Sequence, residues 1–201
     1  MILSFDEMDE AYPELVDLAI KQGELKNPRG FACRELRPFN FRIVDPTRSI
    51  YGGKSRKLSA RFWAIETLSY LAGFGNEPWH AELLIMSNKG MRSFVNEDTG
   101  MFDGAYGPRI AESLEDVIQL LKRDPDTRQA VCSIWSPGLP VSKDVPCTVF
   151  LHFFKSHHRL QLQVYMRSND LNWGTPYDIP AFCAIQLYVA SRLGWPCGNY
   201  Y

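Results

Sequence analysis

Apolar residues recur along the first half of this chain at spacings that predict helices. Residues 8–22 have the pattern of a first helix, and residues 57–72 that of a second, which Gly73 would end. The second helix should bury one stripe of side chains, formed by Leu58, Phe62, Ile65, Leu68 and Leu71.

Strand-like alternation dominates the second half. Residues 129–135, 147–154 and 159–166 are predicted strands, and in the last of them Leu160, Leu162 and Val164 alternate with more polar residues. Residues 155–158 form the predicted turn between two of these strands, and residues 179–193 form an apolar helix. The sequence therefore predicts a mixed α/β fold with helices outside a sheet.

Three further segments complete the prediction. Residues 26–38 are rich in Pro, Gly and Arg and predict a loop, whereas residues 39–45 alternate like a strand. Ser113 and Asp116 resemble a capping box at the start of a helix that residues 124–126 end.

Composition narrows the class of protein. The chain has 201 residues, a net charge of −1 and 45% hydrophobic residues, which favours one domain spanning residues 1–201 and suggests neither a nucleic-acid nor a membrane partner. No apolar run is long enough to span a membrane, and the acidic N-terminus lacks the basic region of a signal peptide. The five cysteines include no Cys-x-x-Cys pair and no metal-ligand spacing appears, so we expect a cytoplasmic protein with free thiols and no metal.

Cys147 is the candidate nucleophile. It follows Val145-Pro146 and precedes a polar segment, although a buried core thiol is the alternative for any cysteine. A catalytic thiol must be partly ionised, and either Arg167 or Arg128 could supply the nearby positive charge.

An anion site is predicted where the 159–166 strand ends. Arg167-Ser168 places a forked donor beside a hydroxyl, which suits a phosphate, and a buried guanidinium would need such an anion. Arg128 alone could be a solvated loop residue.

Two carboxylates have open roles at this point. Glu66 could be exposed on its helix or could be a buried acid with a raised pKa. Asp178 could simply cap the 179–193 helix.

Taken together, the motifs resemble the thymidylate synthase superfamily from about Arg29 to Tyr201. The strongest matches are Pro146-Cys147, Arg167-Ser168-x-Asp170 and Gly174-x-Pro176-Tyr177-Asp178-Ile179. Supporting matches are Ile65-Glu66-x-Leu68-x-Tyr70-Leu71-x-Gly73, Gly104-Ala105-Tyr106-Gly107 and Asp124-Pro125-Asp126-Thr127-Arg128.

The resemblance implies a bent mixed sheet flanked by helices, with two sheets packed back to back in a homodimer. It also implies the cofactor 5,10-methylenetetrahydrofolate and a pyrimidine nucleoside monophosphate as substrate. Cys147 would attack C6 of the base, Glu66 would relay protons through water, and Tyr106 would line the site. The remaining implied roles are phosphate binding by Arg29, Arg167 and Ser168, contact with the partner subunit's phosphate by Arg128, and folate binding at Asp170 and Gly174.

Departures from the family pattern indicate the base and the product. Thymidylate synthases carry Asn at the position of Asp178 and His at the position of Thr148, whereas the deoxycytidylate hydroxymethylases of phages resemble this chain at both. A carboxyl that shares a proton with N3 and accepts from N4 matches cytosine. We therefore expect a CMP or dCMP hydroxymethylase, in which water completes the exocyclic methylene.

Other departures leave alternatives. Gln129 replaces the second Arg of a family pair, Ser136 replaces an Asn, and the sequence ends at Tyr201 before the family's His-x-Tyr element and closing tail. The domain thus lacks this C-terminal part as the sequence stands, either because the sequence is a fragment or because the protein has lost it. The alternatives are a thymidylate synthase or dUMP hydroxymethylase, and an inactive member of the family that acts as a binding or scaffold subunit.

Overall fold

Strands from both ends of the chain meet in one mixed sheet. The computed structural model describes residues 2–137 and 142–201, and in that part the sheet has six strands: β1 Leu3–Phe5, β4 Phe41–Ile43, β5 Val131–Ser133, β6 Thr148–Ser156, β7 Arg159–Met166 and β8 Cys197–Tyr200. Their order across the sheet is β1-β4-β8-β7-β6-β5. A separate antiparallel hairpin pairs β2 Glu24–Lys26 with β3 Cys33–Glu35.

Helices cover one face of the sheet. They are α1 Met8–Gln22, α2 Ala60–Ala72, α3 Pro78–Ser87, α4 Tyr106–Arg123 and α5 Thr175–Leu193. Helix α4 buries residues three or four positions apart, and α5 is buried along most of its length. No helix within the described residues is long and apolar enough to cross a membrane.

The β6–β7 hairpin gives the sheet two unlike faces. Its inward residues are fully buried in the main core and include Leu151, Phe153, Leu160 and Leu162. The opposite face carries Phe150, His152, Phe154 and Tyr165, of which Tyr165 is 54% exposed. This aromatic open face lacks a covering helix in the described chain, and the back-to-back dimer stays a prediction.

The mixed α/β class is confirmed, and several element predictions agree closely with the structure. Helix α1 spans the predicted residues 8–22, and α2 ends at Gly73, whose φ of 77° lies in the left-handed region. The hairpin turn also lies where it was predicted, with His157 and His158 at positive φ between β6 and β7.

Other expectations were wrong, each because tertiary contacts override a local pattern. The predicted loop 26–38 contains strand β3, whose exposed residues pair with β2 and show no apolar alternation. The predicted stripe of α2 fails at Leu68, which is 64% exposed, whereas Ser69 and Tyr70 are buried. The pattern search also missed β1, β8 and α3, which are short or apolar on every side.

Both predicted helix starts after residue 100 were also wrong. Helix α4 begins at Tyr106, so Ser113 lies inside it and does not cap it. Helix α5 begins at Thr175, with Gly174 at the N-cap, so Asp178 lies in the first turn. The capping alternative for Asp178 is thereby removed.

Candidate active site

Cys147 lies immediately before β6, beside a register irregularity between Thr148 and Phe150. Its backbone is held from two sides. Its N–H donates to the Tyr106 hydroxyl at 3.1 Å, and its carbonyl accepts from the Arg167 N–H at 2.9 Å. The half-buried thiol therefore projects from a fixed segment of backbone.

Arg167 reinforces the same segment with its side chain. Its Nε donates to the Pro146 carbonyl and one terminal nitrogen to the Val145 carbonyl, both at 2.9 Å. That nitrogen also lies 3.8 Å from Sγ of Cys147. The residue is exposed, so the buried guanidinium expected from the sequence was wrong, although no described residue accepts a hydrogen bond from its Nη1.

Burial, more than charge, determines the state of the thiol. Burial raises the pKa of Cys147, the Arg167 and Arg29 guanidinium groups lower it, and the nearby carboxylates of Asp178 and Asp144 raise it. The net effect is a raised pKa, so the thiol is protonated at neutral pH. Of the two cations that the sequence suggested, Arg167 acts here, and Arg29 takes the place of Arg128.

Glu66 reaches the site from α2. The Ser59 hydroxyl caps this helix by accepting from Phe62 N at 3.1 Å, and Ser59 N donates to the Tyr177 hydroxyl at 2.9 Å. These contacts join the start of α2 to the first turn of α5. They thereby bring Glu66 towards Asp178, which lies in that turn.

The Glu66 carboxyl is a buried acid, which decides between the two alternatives left by the sequence. Its Oε2 is buried and has no hydrogen-bond partner among the described residues. Burial raises its pKa well above the ordinary range, the charge of Asp178 raises it further, and the Tyr70 hydroxyl partly opposes the shift.

The Asp178 carboxyl packs closely against the backbone of Gly174, and a larger residue at position 174 would collide with it. A Cβ on Gly174 would lie 2.8 Å from Oδ2 of Asp178 and 3.1 Å from the Asp170 carbonyl oxygen. Burial raises the pKa of Asp178, and the charge of Asp170 adds to the shift. Glu66 and Asp178 together therefore retain a proton at a pH where ordinary carboxyls have lost theirs.

A cleft of about 190 Å³ brings these groups together. Six of the predicted site residues line it: Cys147, Glu66, Asp178, Ser168, Asp170 and Gly174. Sequence reasoning missed the rest of the lining, formed by Phe62, Asn88, Met91, Asn169, Trp173 and Tyr177. Trp173, 44% exposed and directly before Gly174, is the one that an aromatic residue inside a polar motif could have signalled.

Asp170 shapes the loop at the edge of this cleft. Its Oδ1 accepts from the backbone N–H of Asn172 at 2.7 Å and of Trp173 at 2.6 Å. Its carbonyl accepts from Gly174 N and Thr175 N, both at 2.8 Å. The residue therefore fixes the turn that leads into α5.

The remaining predicted residues lie outside the lining. Tyr106 contacts the backbone of Cys147 and Thr148 through its hydroxyl. Arg29 is exposed in a 3-10 turn with a φ of 54°, close enough to lower the pKa of Cys147. Arg128 is exposed in the loop before β5, beside His152, and is not among the groups that shift the pKa of Cys147.

A larger cavity of about 730 Å³ lies elsewhere, between the end of α1 and the β2–β3 hairpin. Its lining mixes apolar residues with Glu24, Lys26, Glu35 and Arg37, and it holds neither a cysteine nor a histidine. The smaller cleft is the better functional candidate because it contains the nucleophile and both carboxyls with raised pKa. Among residues 2–137 and 142–201, no group of three or more side chains could hold a metal ion.

Comparison with known proteins agrees with this geometry. Residues 49–201 match the family model described as thymidylate synthase. The deoxyuridylate hydroxymethyltransferase of Bacillus phage SP01 is 33% identical over 212 aligned residues, which cover 96% of this chain and 54% of that protein. A protein of the same name from Delftia phage PhiW-14 is 29% identical, with 89% and 53% covered. The chain thus spans about half the length of the curated relatives it matches.

Proposed function

The chain belongs to the thymidylate synthase family, and we propose that it adds a hydroxymethyl group to C5 of a pyrimidine nucleoside monophosphate. The supporting observation is one cleft that contains the thiol of Cys147 and the half-buried carboxyls of Glu66 and Asp178, both with raised pKa. We place the protein in the cytoplasm, because its five free cysteines fit a reducing compartment.

Cys147 is the nucleophile that adds to C6 of the base, which makes C5 nucleophilic. Because burial raises the pKa of the thiol, its proton must leave as the substrate binds. Glu66 is the group that exchanges protons with water and substrate, since its raised pKa suits both directions of transfer near neutrality.

The phosphate site consists of Ser168, the free edge of Arg167 and Arg29. Ser168 lines the cleft, Arg167 keeps one terminal nitrogen for an anion, and Arg29 lies near enough to act on the thiol. Arg128 supplies a fourth contact from the partner subunit.

The cleft is suited to a flat folate ring. Phe62 and Tyr177 meet edge to face with ring centroids 4.9 Å apart, and Trp173 and Met91 complete an apolar surface. Gly174 and the turn fixed by Asp170 would hold 5,10-methylenetetrahydrofolate at this surface. When bound, the folate supplies the one-carbon unit that C5 accepts.

Cytosine is the base that Asp178 favours. A protonated carboxyl can donate to N3 and accept from N4, and burial stabilises that protonated form. Uracil is the second candidate, because both relatives are named deoxyuridylate hydroxymethyltransferase and a neutral carboxyl can reverse its donor and acceptor. We therefore expect a preference for cytosine of about 1–3 kcal/mol for each mismatched polar contact, and no absolute exclusion of uracil.

The test compares kcat/KM for CMP, dCMP and dUMP in the wild type and in Asp178→Asn. The asparagine amide complements uracil, so the variant should shift towards dUMP. A wild type that prefers dUMP, or a variant with unaltered preference, would favour the uridylate alternative.

Product mass distinguishes the chemistry on the same samples. Hydroxymethylation adds the mass of formaldehyde, whereas methylation adds that of a methylene group. A methylated product would establish a thymidylate synthase type of reaction. Nucleotide binding without any product would favour the inactive binding member.

The homodimer is a separate proposal that the aromatic open face supports. Phe150 and Tyr165 stack on this face with centroids 5.6 Å apart, and such a surface is typical of an interface. Sedimentation should therefore show a dimer. Mixing Arg128→Ala subunits with Cys147→Ser subunits should restore part of the activity, since one of two shared sites would be intact. A monomer with full nucleotide affinity would contradict the dimer.

A further inference from the structure

The hydroxyl of Tyr106 has an unusual set of partners. Its oxygen accepts from the backbone N–H of Cys147 and from that of Thr148, both at 3.1 Å. A tyrosine oxygen offers two acceptor sites and one hydrogen. Both acceptor sites are thus occupied by the segment that carries the nucleophile.

Aromatic contacts keep the Tyr106 ring in place. It stacks on Tyr70 at 5.4 Å between centroids, with an angle of 25° between the planes. It also stacks on Phe182 of α5 at 6.3 Å and 9°. The hydroxyl is therefore presented from a rigid support that joins α2, α4 and α5.

The backbone before Tyr106 is fixed as well. Gly104 N donates to Oδ2 of Asp144 at 2.7 Å, and the Arg109 guanidinium donates to the Asp103 carbonyl at 2.9 Å. A Cβ on Gly104 would lie 2.8 Å from the Asp144 carbonyl oxygen, so these two chain segments are in close contact. Asp144 lies three residues before Cys147, and Gly104 lies two residues before Tyr106. The contact between Gly104 and Asp144 therefore holds together the two segments that carry Tyr106 and Cys147.

We propose that Tyr106 is a positioning residue for the nucleophile: its hydroxyl oxygen, filled by two backbone amides, fixes Cys147 and is not available as a general base. Arg167 holds the same segment from the other side, through its own N–H and its guanidinium. Burial, and then the charge of Asp178, raise the pKa of Tyr106 and outweigh the hydrogen bonds from Thr148, which lower it, so the anionic form that a base would need is disfavoured. The contact stands on geometry alone, and only its effect on turnover rests on the proposed function.

Tyr106→Phe tests this directly, because it keeps the stacked ring and removes only the hydroxyl. Amide hydrogen exchange at Cys147 and Thr148 should become faster by about tenfold or more, since both N–H groups lose their partner. The kcat should fall by roughly 10- to 100-fold, because the Cys147 thiol would no longer be held in the position from which it attacks C6. The nucleotide KM should stay within about threefold, and the shape of the pH–rate profile should not change, because the raised pKa of Tyr106 keeps its hydroxyl protonated near neutral pH.

Tyr70→Phe is the matched control. It removes a hydroxyl from the same aromatic stack, but that hydroxyl acts on Glu66 and not on Cys147. Exchange at the two amides should equal that of the parent protein. If amide exchange at Cys147 and Thr148 became equally faster in both variants, the cause would be a loosened aromatic stack, and the proposal would be overturned.

Two further outcomes would also overturn it. One is unchanged exchange at Cys147 and Thr148 in Tyr106→Phe, and the other is loss of one limb of its pH–rate profile, which would identify Tyr106 as a base. A parent protein that turns over no nucleotide would contradict the proposed function. In that case the exchange rates alone would support or overturn the positioning contact.

Discussion

Two buried polar regions of this molecule differ in whether their hydrogen bonds are satisfied. Where β7 meets β8, the Gln161 amide donates to the Ser156 carbonyl at 3.1 Å and accepts from Asn199 N at 2.8 Å. Gly198 allows this packing, because a Cβ there would lie 2.2 Å from Nε2 of Gln161. In the cleft, by contrast, Oε2 of Glu66 is buried without a partner in the described chain.

The difference separates stability from function. A buried amide with both ends paired stabilises the strands it joins. A carboxyl with one buried oxygen left unpaired destabilises the fold, and its raised pKa makes it useful for moving protons. We therefore expect substitutions in the two regions to have opposite effects, with activity lost in one and stability lost in the other.

The largest effect is expected at Cys147. Cys147→Ser should lower tritium release from C5-labelled nucleotide by about three orders of magnitude or more, because a hydroxyl is a far weaker nucleophile. Cys132→Ser is the control, since that thiol is buried in the core and distant from the chemistry. Substantial release from Cys147→Ser would exclude covalent addition at this residue.

Glu66→Gln should separate activity from stability in a single variant. It keeps the shape of the side chain but removes proton transfer, so kcat should fall by roughly 10²- to 10⁴-fold. Denaturant unfolding at pH 8 should show unchanged or increased stability, because a costly buried charge is lost. The control is Glu112→Gln on the exposed side of α4, and a destabilised Glu66→Gln protein would contradict the comparison.

Gln161→Leu should produce the reverse pattern. It leaves Asn199 N–H without its acceptor, which should cost about 1–3 kcal/mol of unfolding free energy. The kcat/KM should be unchanged wherever the protein is folded. Gln163→Leu, at an exposed position on the same face of β7, is the control and should leave the unfolding free energy unchanged.

The smallest effect concerns how stability depends on pH. The folded protein keeps a proton on Asp178 that the unfolded chain releases above about pH 4, so stability should fall as pH rises from there to the raised folded pKa. Asp178→Asn should flatten this part of the curve and make the protein more stable at alkaline pH. Urea unfolding across the same range measures it, and an unchanged slope would contradict a raised pKa for Asp178.

Local motifs predicted much of the site but not its electrostatics. Cys147, Ser168, Asp170 and Asp178 could be selected because they lie close together in the sequence. The burial of Glu66 could not be inferred, because it depends on α2 meeting α5 through Ser59 and Tyr177.

The fold was predictable where a period repeats over many residues. Strand β7 and helix α1 show such periods, and the structure has both as predicted. Helix α3 shows none, since buried Leu84 and Ile85 adjoin exposed Met86, and the start of α4 was misplaced because Ser113 mimics a cap. In both cases the contacts that decide the structure join residues far apart in sequence.

Trapping of the covalent intermediate would show directly whether Cys147 adds to C6 of a pyrimidine nucleotide. A 5-fluorinated pyrimidine nucleotide can accept Cys147 at C6, but fluorine cannot leave C5 as a proton does, so the adduct should persist. The protein is incubated with methylenetetrahydrofolate and, in separate samples, the 5-fluoro forms of CMP, dCMP and dUMP. It is then digested, and the masses of its peptides are measured by mass spectrometry. We expect an adduct on the Cys147 peptide, with most from a cytosine nucleotide, and none in Cys147→Ser. No adduct from any of the three nucleotides, or an adduct that survives in Cys147→Ser, would contradict this addition.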